Sequence, residues 1–366
     1  MQSLEAETLP GILADFREQS QHIQDLLYRL SFQQGTARLY KLIKPSEEEI
    51  RELAEERQAL QKQLINLQSL NLNIGQQQLE TQAKVELEAT LTIQRKQLAL
   101  AEQSASTLLS YLQGNLILAN KQADTLIAQL QAENLPHLEA NILLNRAYNL
   151  KAKIAASLEN FNDATNLYKE ALRVLPEDVM TWSNFGGLLT DRGLALEAYP
   201  YYQKLSPRLG QITPLQRPIV NSGMAYGLLM LAQAIEQKAI TETKNIPSVL
   251  ALRSQARNLL KEAVNLDPRY INTRIFQALL SHDEGNYEKG LQEINEALSL
   301  QDQYPTALRR KGLILAKLGD TEAALSSLSQ ARDIFMVEKD RNASWIKRVE
   351  KDISDIEARM AQRNRM

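Results

Sequence analysis

The chain has 366 residues, 42 of them basic and 44 acidic, which gives a formal net charge of −2, and it contains no cysteine. Binding to nucleic-acid phosphates would call for an excess of positive charge that this balance does not show. The missing cysteines exclude disulfides, thiolate nucleophiles and thiolate metal sites. Leucine, alanine, glutamine and glutamate dominate the sequence, and these residues favour helices. We therefore predict an all-α protein.

The N-terminal part of the chain shows helical spacing of its apolar residues. Residues 1–45 predict one or two short helices. Ser46, followed by three glutamates that end at Glu49, is a helix start with a capping box. No proline occurs from there to residue 133, so we expect a long helix or a helix pair over 46–133.

The apolar residues of this segment follow a seven-residue repeat typical of coiled coils. The first register contains Ile50, Leu53, Leu60, Leu64, Leu67 and Ile74. A second register runs from Leu91 to Leu126, and its phase differs from the first. The segment is therefore either a continuous rod or a hairpin folded at Asn71–Gly75. An apolar seam must be covered by this chain or by another copy, so residues 46–133 are a candidate homo-oligomer contact.

After Asn134-Leu-Pro136 the sequence repeats itself every 34 residues. The matched pairs are Tyr148 with Trp182, Ala152 with Gly186, Ala164 with Ala198, Tyr168 with Tyr202, Gly285 with Gly319, and Ala297 with Ala331. An aromatic residue, small residues at fixed offsets and a closing proline such as Pro176 resemble the tetratricopeptide repeat (TPR) family over about 145–338.

The resemblance implies a right-handed α-solenoid of about five helix pairs over residues 134–338, with a capping helix at 339–366. Each pair cannot bury its own apolar face, so neighbouring pairs stack to form the core. The third repeat departs from the pattern, because 58 residues separate Thr213 from Ile271. We place the insertion of 24 residues near 225–248.

No motif in the sequence predicts catalysis, a metal or a cofactor. His22, His137 and His282 are far apart and lack metal-ligand spacing, and no glycine-rich phosphate loop occurs. We therefore expect no enzyme. The apolar stretch at Leu108–Ala119 is shorter than the ~20 residues that span a bilayer. The start of the chain lacks a signal-peptide pattern, so we expect a soluble cytoplasmic protein with no membrane or nucleic-acid partner.

In TPR proteins the first helices of the pairs line a concave face, and the resemblance implies that positions 2, 5, 6 and 9 of each repeat point into it. Cations and amides occupy these positions, without an acidic residue: Arg146, Asn149, Lys153, Asn184, Arg217, Asn221, Asn272, Arg309 and Arg310. Asn149, Lys153 and Asn184 resemble the clamp with which one sub-family grips carboxyl termini, with lysine and asparagine exchanged in order. Pro218 stands where that clamp has arginine.

A groove lined in this way suits an acidic or carboxylate-bearing peptide, because charge-assisted hydrogen bonds form there. The sequence thus predicts a non-enzymatic protein–protein interaction scaffold that binds a peptide segment of a partner. Two alternatives remain open. One is a peptide-responsive bacterial signalling regulator, since such regulators also join an N-terminal helical bundle to these repeats. The other is a self-assembling structural protein built on residues 46–133.

Overall fold

The structure is a computed structural model of the chain. It describes residues 102–132, 137–212, 216–240, 245–337 and 339–363, with isolated positions between 51 and 100 and residue 214. The predictions for residues 1–45, for most of 46–101 and for the turn at Asn71–Gly75 lie outside the described residues. The described residues belong to two compact units, one ending at Pro176 and one beginning at Glu177.

The fold of the described residues is all-α, and they contain no strand. Helical residues 102–112 come first. The helices that follow are α1 (Leu116–Ala132), α2 (His137–Ser157), α3 (Phe161–Val174), α4 (Val179–Asp191), α5 (Ala195–Leu205), α6 (Arg217–Glu236), α7 (Val249–Leu266), α8 (Ile271–Asp283), α9 (Tyr287–Leu300), α10 (Pro305–Leu318), α11 (Thr321–Met336) and α12 (Lys339–Arg363), and a short 3₁₀ helix at Ser206–Gln211 links α5 to α6.

A turn at residues 113–115 in the first unit is absent from the sequence-based register. Gly114 has φ of 80°, and the backbone N–H groups of Gln113 and Asn115 bond to the carbonyls of Leu109 and Ser110. Helical residues 102–112 fold back on α1, where Gln122 Nε2 donates to Ser106 Oγ at 3.3 Å. The register from Leu91 to Leu126 is therefore interrupted, because glycine adopts this left-handed conformation without steric cost.

A second contact in this unit joins two distant parts of segment 46–133. Arg57 Nε donates to Glu102 Oε1 at 2.8 Å. A continuous helix would hold these two residues about 68 Å apart, at 1.5 Å per residue. The contact is therefore incompatible with a single straight helix through both residues.

The first unit also contains the first predicted repeat, formed by α2 and α3. The Asn145 side chain donates to the Ala171 carbonyl at 3.0 Å and so ties the two helices together. Ala152 and Ala164 are fully buried, as their positions in the repeat predict. On the other side of α2, Gln131 Nε2 of α1 donates to the Tyr148 hydroxyl at 3.0 Å.

The second unit is a series of stacked helix pairs, α4/α5, α6/α7, α8/α9 and α10/α11, followed by α12. Each first helix packs on its own second helix and on the next first helix, and each second helix packs on the first helix of the following pair. This is the stacking that the sequence repeat predicts. The capping helix α12 lies against α11, with Ile346, Val349 and Ile356 buried in the shared core.

Turns inside the pairs use the same backbone conformation at equivalent places. Gly193, Gly285 and Gly319 have φ between 76° and 91° in the second unit. Glu159 holds φ of 60° at the equivalent place in the first unit. Side-chain N-caps begin three of the helices, with Asp178, Ser248 and Asp320 accepting from backbone N–H groups.

The predicted close helix approaches are present, and the tightest of them surrounds Tyr202. A Cβ on Gly186 would lie 2.8 Å from its ring, and one on Gly227 would lie 2.1 Å away. The Tyr202 hydroxyl shares a 2.8 Å hydrogen bond with Thr190 Oγ1. At the far end of the unit, a Cβ on Gly312 would lie 2.7 Å from Leu328 Cγ. A side chain at any of these three positions would overlap with its neighbours, so only glycine fits there without a shift of the packing.

The long helix α6 accounts for part of the predicted insertion, and its sequence is strongly apolar. In the described part of the chain it is the single helix long and apolar enough to cross a membrane, and 67% of its most apolar window is buried within the protein. Its neighbours α4, α5, α7 and α8 explain that apolar surface, since they pack on it from several sides.

The carboxyl of Glu293 on α9 gives this unit a pH-dependent stability. It accepts a 2.7 Å hydrogen bond from Ser281 Oγ, and its side chain is 12% exposed. Burial raises its pKa above the usual value, although Ser281 and Lys289 oppose the shift. The folded state therefore binds this proton more tightly than the unfolded chain, and stability falls as pH rises through the folded-state pKa.

We expect Glu293→Gln to be more stable than the native protein at pH 7 by less than about 1 kcal/mol, because the amide keeps the acceptor for Ser281 and carries no charge. The difference in stability should vanish below about pH 4, where the Glu293 carboxyl of the native protein is protonated in both the folded and the unfolded state. Thermal unfolding at pH 7 and at the lower pH measures it, with the exposed Glu357→Gln as control. A Gln variant less stable than the native protein at pH 7 would contradict this assignment.

Candidate functional site

The predicted groove residues of the first unit lie on α2. Asn149 and Lys153 are buried, and Arg146 is partly buried. The Asn149 amide donates to the Asn145 carbonyl one turn earlier at 2.9 Å and to Asn145 Oδ1 at 3.3 Å. The two asparagines therefore form a hydrogen-bonded pair along α2, next to the contact that joins Asn145 to α3.

The predicted amides of the second unit are also buried: Asn184, Asn221 and Asn272. The Tyr304 hydroxyl donates to Asn272 Oδ1 at 2.8 Å, so this amide links α8 to the start of α10. Asn221 is fully buried, and neither of its amide atoms has a hydrogen-bond partner among the described residues. In this structure these three side chains lie between helices rather than on an open surface.

Arg217, at the start of α6, contacts the neighbouring elements. Its NH2 donates to the Ile212 carbonyl at 3.1 Å, and its NH1 lies 3.6 Å from Glu262 on α7. These contacts fix the first turn of α6 against the chain that precedes it and against its partner helix.

Arg309 on α10 is paired with the C-terminal helix. Its Nε donates to Asp352 Oδ2 on α12 at 2.6 Å, and the two side chains are 19% and 17% exposed. The guanidinium also lies 5.9 Å from the ring centroid of Trp345. Arg309 is one of the groove cations predicted from the repeat, whereas Asp352 and Trp345 lie on α12, beyond the last repeat that the pattern covers.

Arg310, the next residue, is partly buried and has no hydrogen bond or ion pair with any described residue. Burial and the neighbouring Arg309 lower its pKa to about 10, against the pull of Asp283, Tyr226 and Asp352. A guanidinium of this pKa is still protonated at neutral pH. Its charge has no counter-ion in contact among the described residues, and the side chain keeps some exposure to solvent.

Tyr226, which interacts electrostatically with this guanidinium, stacks on a second aromatic ring. Tyr226 on α6 and Phe276 on α8 stack with their centroids 4.9 Å apart and their planes 16° from parallel, and both are partly exposed. Burial and Asp191 raise the pKa of Tyr226 to about 12, while Arg348, Arg310 and Arg309 act in the opposite direction. The phenol is therefore neutral, and it shares an environment with three guanidinium groups.

Helix α12 completes this surface by reaching across to α4. Arg348 NH2 donates to the backbone carbonyl of Asp191, the last residue of α4, at 3.1 Å. Its guanidinium also lies 4.8 Å from the Trp345 ring centroid. We call the surface shared by the first helices and α12 the first-helix face, and define it by Tyr226, Phe276, Arg309, Arg310, Arg348 and Asp352.

Some residues of this face lie at repeat positions that the sequence predicts to point into the groove. Phe276 and Arg310 both occupy position 6 of their repeats, a position that the resemblance assigns to the concave face. Tyr226 lies beyond the regular positions of its lengthened helix. Arg348 and Asp352 lie on the capping helix, which follows the last repeat that the pattern covers.

The second unit defines a class: an all-α repeat protein built of stacked helix pairs. No family model and no curated protein matches the chain. Solved structures that resemble it include a thermophilic TPR protein of Thermus thermophilus, at 18% identity and a TM-score of 0.43, covering 54% of this chain and 94% of that one.

Two further solved structures resemble the chain at low identity. The type IV pilus biogenesis factor PilW matches at 15% identity and a TM-score of 0.46, covering 68% of this chain and 98% of its own. YrrB, described as a TPR protein with an unusual peptide-binding site, matches at 17% identity and a TM-score of 0.31, covering 54% and 90%. These likenesses concern the helical-repeat architecture and do not extend to partners.

Proposed function

We propose that the protein is a non-enzymatic interaction scaffold, and that its first-helix face binds a carboxylate-bearing peptide segment of a partner protein. The observation that carries this proposal is Arg310. It is a partly buried guanidinium without a hydrogen bond or ion pair to any described residue. A cation in that position is costly to the fold and becomes favourable when an anion supplies the missing partner.

The shape of the guanidinium favours a carboxylate. Arginine presents parallel N–H donors that match the two oxygens of a carboxylate, and such pairs are about twice as strong as neutral hydrogen bonds. Tyr226 interacts electrostatically with Arg310, and its stacked pair with Phe276 offers a flat apolar surface. An anionic group attached to an apolar segment would satisfy both features.

A comparison of paired peptides tests the proposal with the full-length protein. One synthetic peptide library ends in a free carboxylate, and a second library of the same sequences ends in a carboxamide. We expect peptides of the first library to bind at least about tenfold more tightly, since the amide cannot form a charge-assisted pair with Arg310. Fluorescence anisotropy of labelled peptides measures the difference.

The outcome that contradicts the proposal is binding of both libraries with equal affinity, or binding of neither. Equal affinity would mean that the anionic group does not reach the face. A shift of the binding constant with salt supports the proposal, because a partly exposed ion pair is screened by added ions.

A further inference from the structure

The charges around Arg310 are balanced among the described residues. The guanidiniums of Arg309, Arg310 and Arg348 interact electrostatically with Tyr226. The carboxylates of Asp283 and Asp352 interact with Arg310, and that of Asp191 interacts with Tyr226. Three positive and three negative groups therefore meet at one face that receives contributions from α4, α8, α10 and α12.

Two of the carboxylates are held in place by specific contacts. Asp352 accepts from Arg309 at 2.6 Å. Asp283 is 5% exposed, and both its oxygens accept from Gln233 Nε2 at 2.8 Å. Neither group is within ion-pair distance of Arg310, so both act on it through space.

Arg348 makes contacts of a different kind. It donates to the carbonyl of Asp191 and lies over the Trp345 ring. Arg309 is paired with Asp352, and Arg348 donates to a backbone carbonyl. Arg310 has neither a carboxylate nor a carbonyl within hydrogen-bond distance among the described residues.

From this arrangement we propose that the face selects a ligand with a single carboxylate next to an aromatic or large apolar side chain, and that Asp352 is the residue that excludes polyacidic ligands. The inference rests on the proposed function, which it makes more specific. One carboxylate fits Arg310, and the ring or chain beside it packs on Tyr226 and Phe276. A ligand with several acidic residues would bring its further charges up to Asp352, Asp283 and Asp191.

The expected size of the discrimination follows from Coulomb's law. Two like charges about 7 Å apart at an intermediate dielectric repel each other by about 1 kcal/mol, which is about a fivefold change in affinity. Asp352→Asn removes one of the repelling charges and also leaves Arg309 without its anionic partner. The variant should therefore accept a second ligand carboxylate where the native face repels it.

Three peptides of equal length separate these contributions. The first is neutral and ends in Phe with a free carboxylate. The second has three Glu residues before the same Phe, and the third ends in Gly in place of Phe. With the native protein we expect the first to bind about tenfold more tightly than either of the others.

With Asp352→Asn, the polyacidic peptide should gain about fivefold relative to the neutral one. Asp191→Asn is a second variant that removes a repelling charge while leaving the Arg309 contact intact, and it should give a smaller gain in the same direction. Asp333→Asn on α11, whose carboxylate pairs with the exposed Arg332, is the matched control and should change nothing. The fluorescence of Trp182 and Trp345 reports whether each variant is folded.

The outcomes distinguish the two proposals. If no carboxylate peptide binds the native protein, the proposed function itself is wrong. If the polyacidic peptide binds the native protein as tightly as the neutral one, the face binds carboxylates but does not select for one. If folded Asp352→Asn and Asp191→Asn both leave the ratio of the two affinities unchanged, the carboxylates of the face do not set the preference, and this inference is overturned.

Discussion

Replacement of Gly227 by alanine should destabilise the second unit by about 3 kcal/mol. The added methyl group would lie 2.1 Å from Cε2 of Tyr202 and 2.5 Å from Cζ. The ring cannot move away easily, because Gly186 packs on its other edge and its hydroxyl bonds Thr190. Alanine in the middle of a helix normally stabilises it by about 0.5–1 kcal/mol relative to glycine. The steric overlap with Tyr202 therefore has to outweigh this gain for the variant to be less stable.

Both tryptophans of the chain, Trp182 and Trp345, belong to the second unit, so their fluorescence during urea unfolding reports on this unit. Gly210→Ala is the control, because a Cβ at Gly210 meets no atom within 4 Å. A Gly227→Ala variant as stable as the native protein would show that the approach of α5 to α6 is looser than described, and the close packing of the third repeat would have to be rejected.

Replacement of Arg310 by methionine should weaken carboxylate-peptide binding by roughly 30-fold and at the same time stabilise the protein by about 1–2 kcal/mol. The binding loss follows from the removal of the charge-assisted pair. The stability gain follows from the pKa, which burial and Arg309 lower to about 10 from the ordinary 12.5. A base whose folded-state pKa is lowered is harder to charge in the folded protein, so at pH 7 the charge reduces stability.

Opposite changes in affinity and stability are the signature of a group kept for binding rather than for folding. Arg332→Met on the surface of α11 is the control, because Arg332 pairs with the exposed Asp333 beside it. Anisotropy with the carboxylate peptide and thermal unfolding give the two quantities. A variant that binds normally would show that Arg310 does not contact the ligand. A variant that loses both binding and stability would show that Arg310 has a structural role.

The repeat architecture could be predicted from the sequence because its signals are local. A small residue every 34 positions marks the same helix crossing, and Gly186, Gly312 and the buried alanines lie at those crossings. Gly285 and Gly319 mark the same left-handed turn. The turn at Gly114 was not predicted, because the seven-residue register of apolar residues continues on both sides of this glycine and favours an unbroken helix.

The candidate site was less predictable, because repeat positions specify a side of the helix and not its exposure. Asn272 stands at a concave position, yet it is buried against Tyr304. Arg309 and Arg310 were assigned the same role, and only the packing of α12 separates them, by supplying Asp352 to one of the two. Contacts between α12 and α4 join residues 157 positions apart, which no local pattern encodes.

The central claim is that the Arg310 guanidinium receives the carboxylate of the partner, and NMR of arginine side chains tests it most directly. In the full-length protein, the Nε–Hε signal that disappears in Arg310→Met belongs to Arg310. We predict that this signal shifts on addition of the peptide that ends in Phe with a free carboxylate, and that it does not shift with the carboxamide form. An Arg310 signal unmoved by a saturating carboxylate peptide, or moved equally by both peptides, would contradict the account.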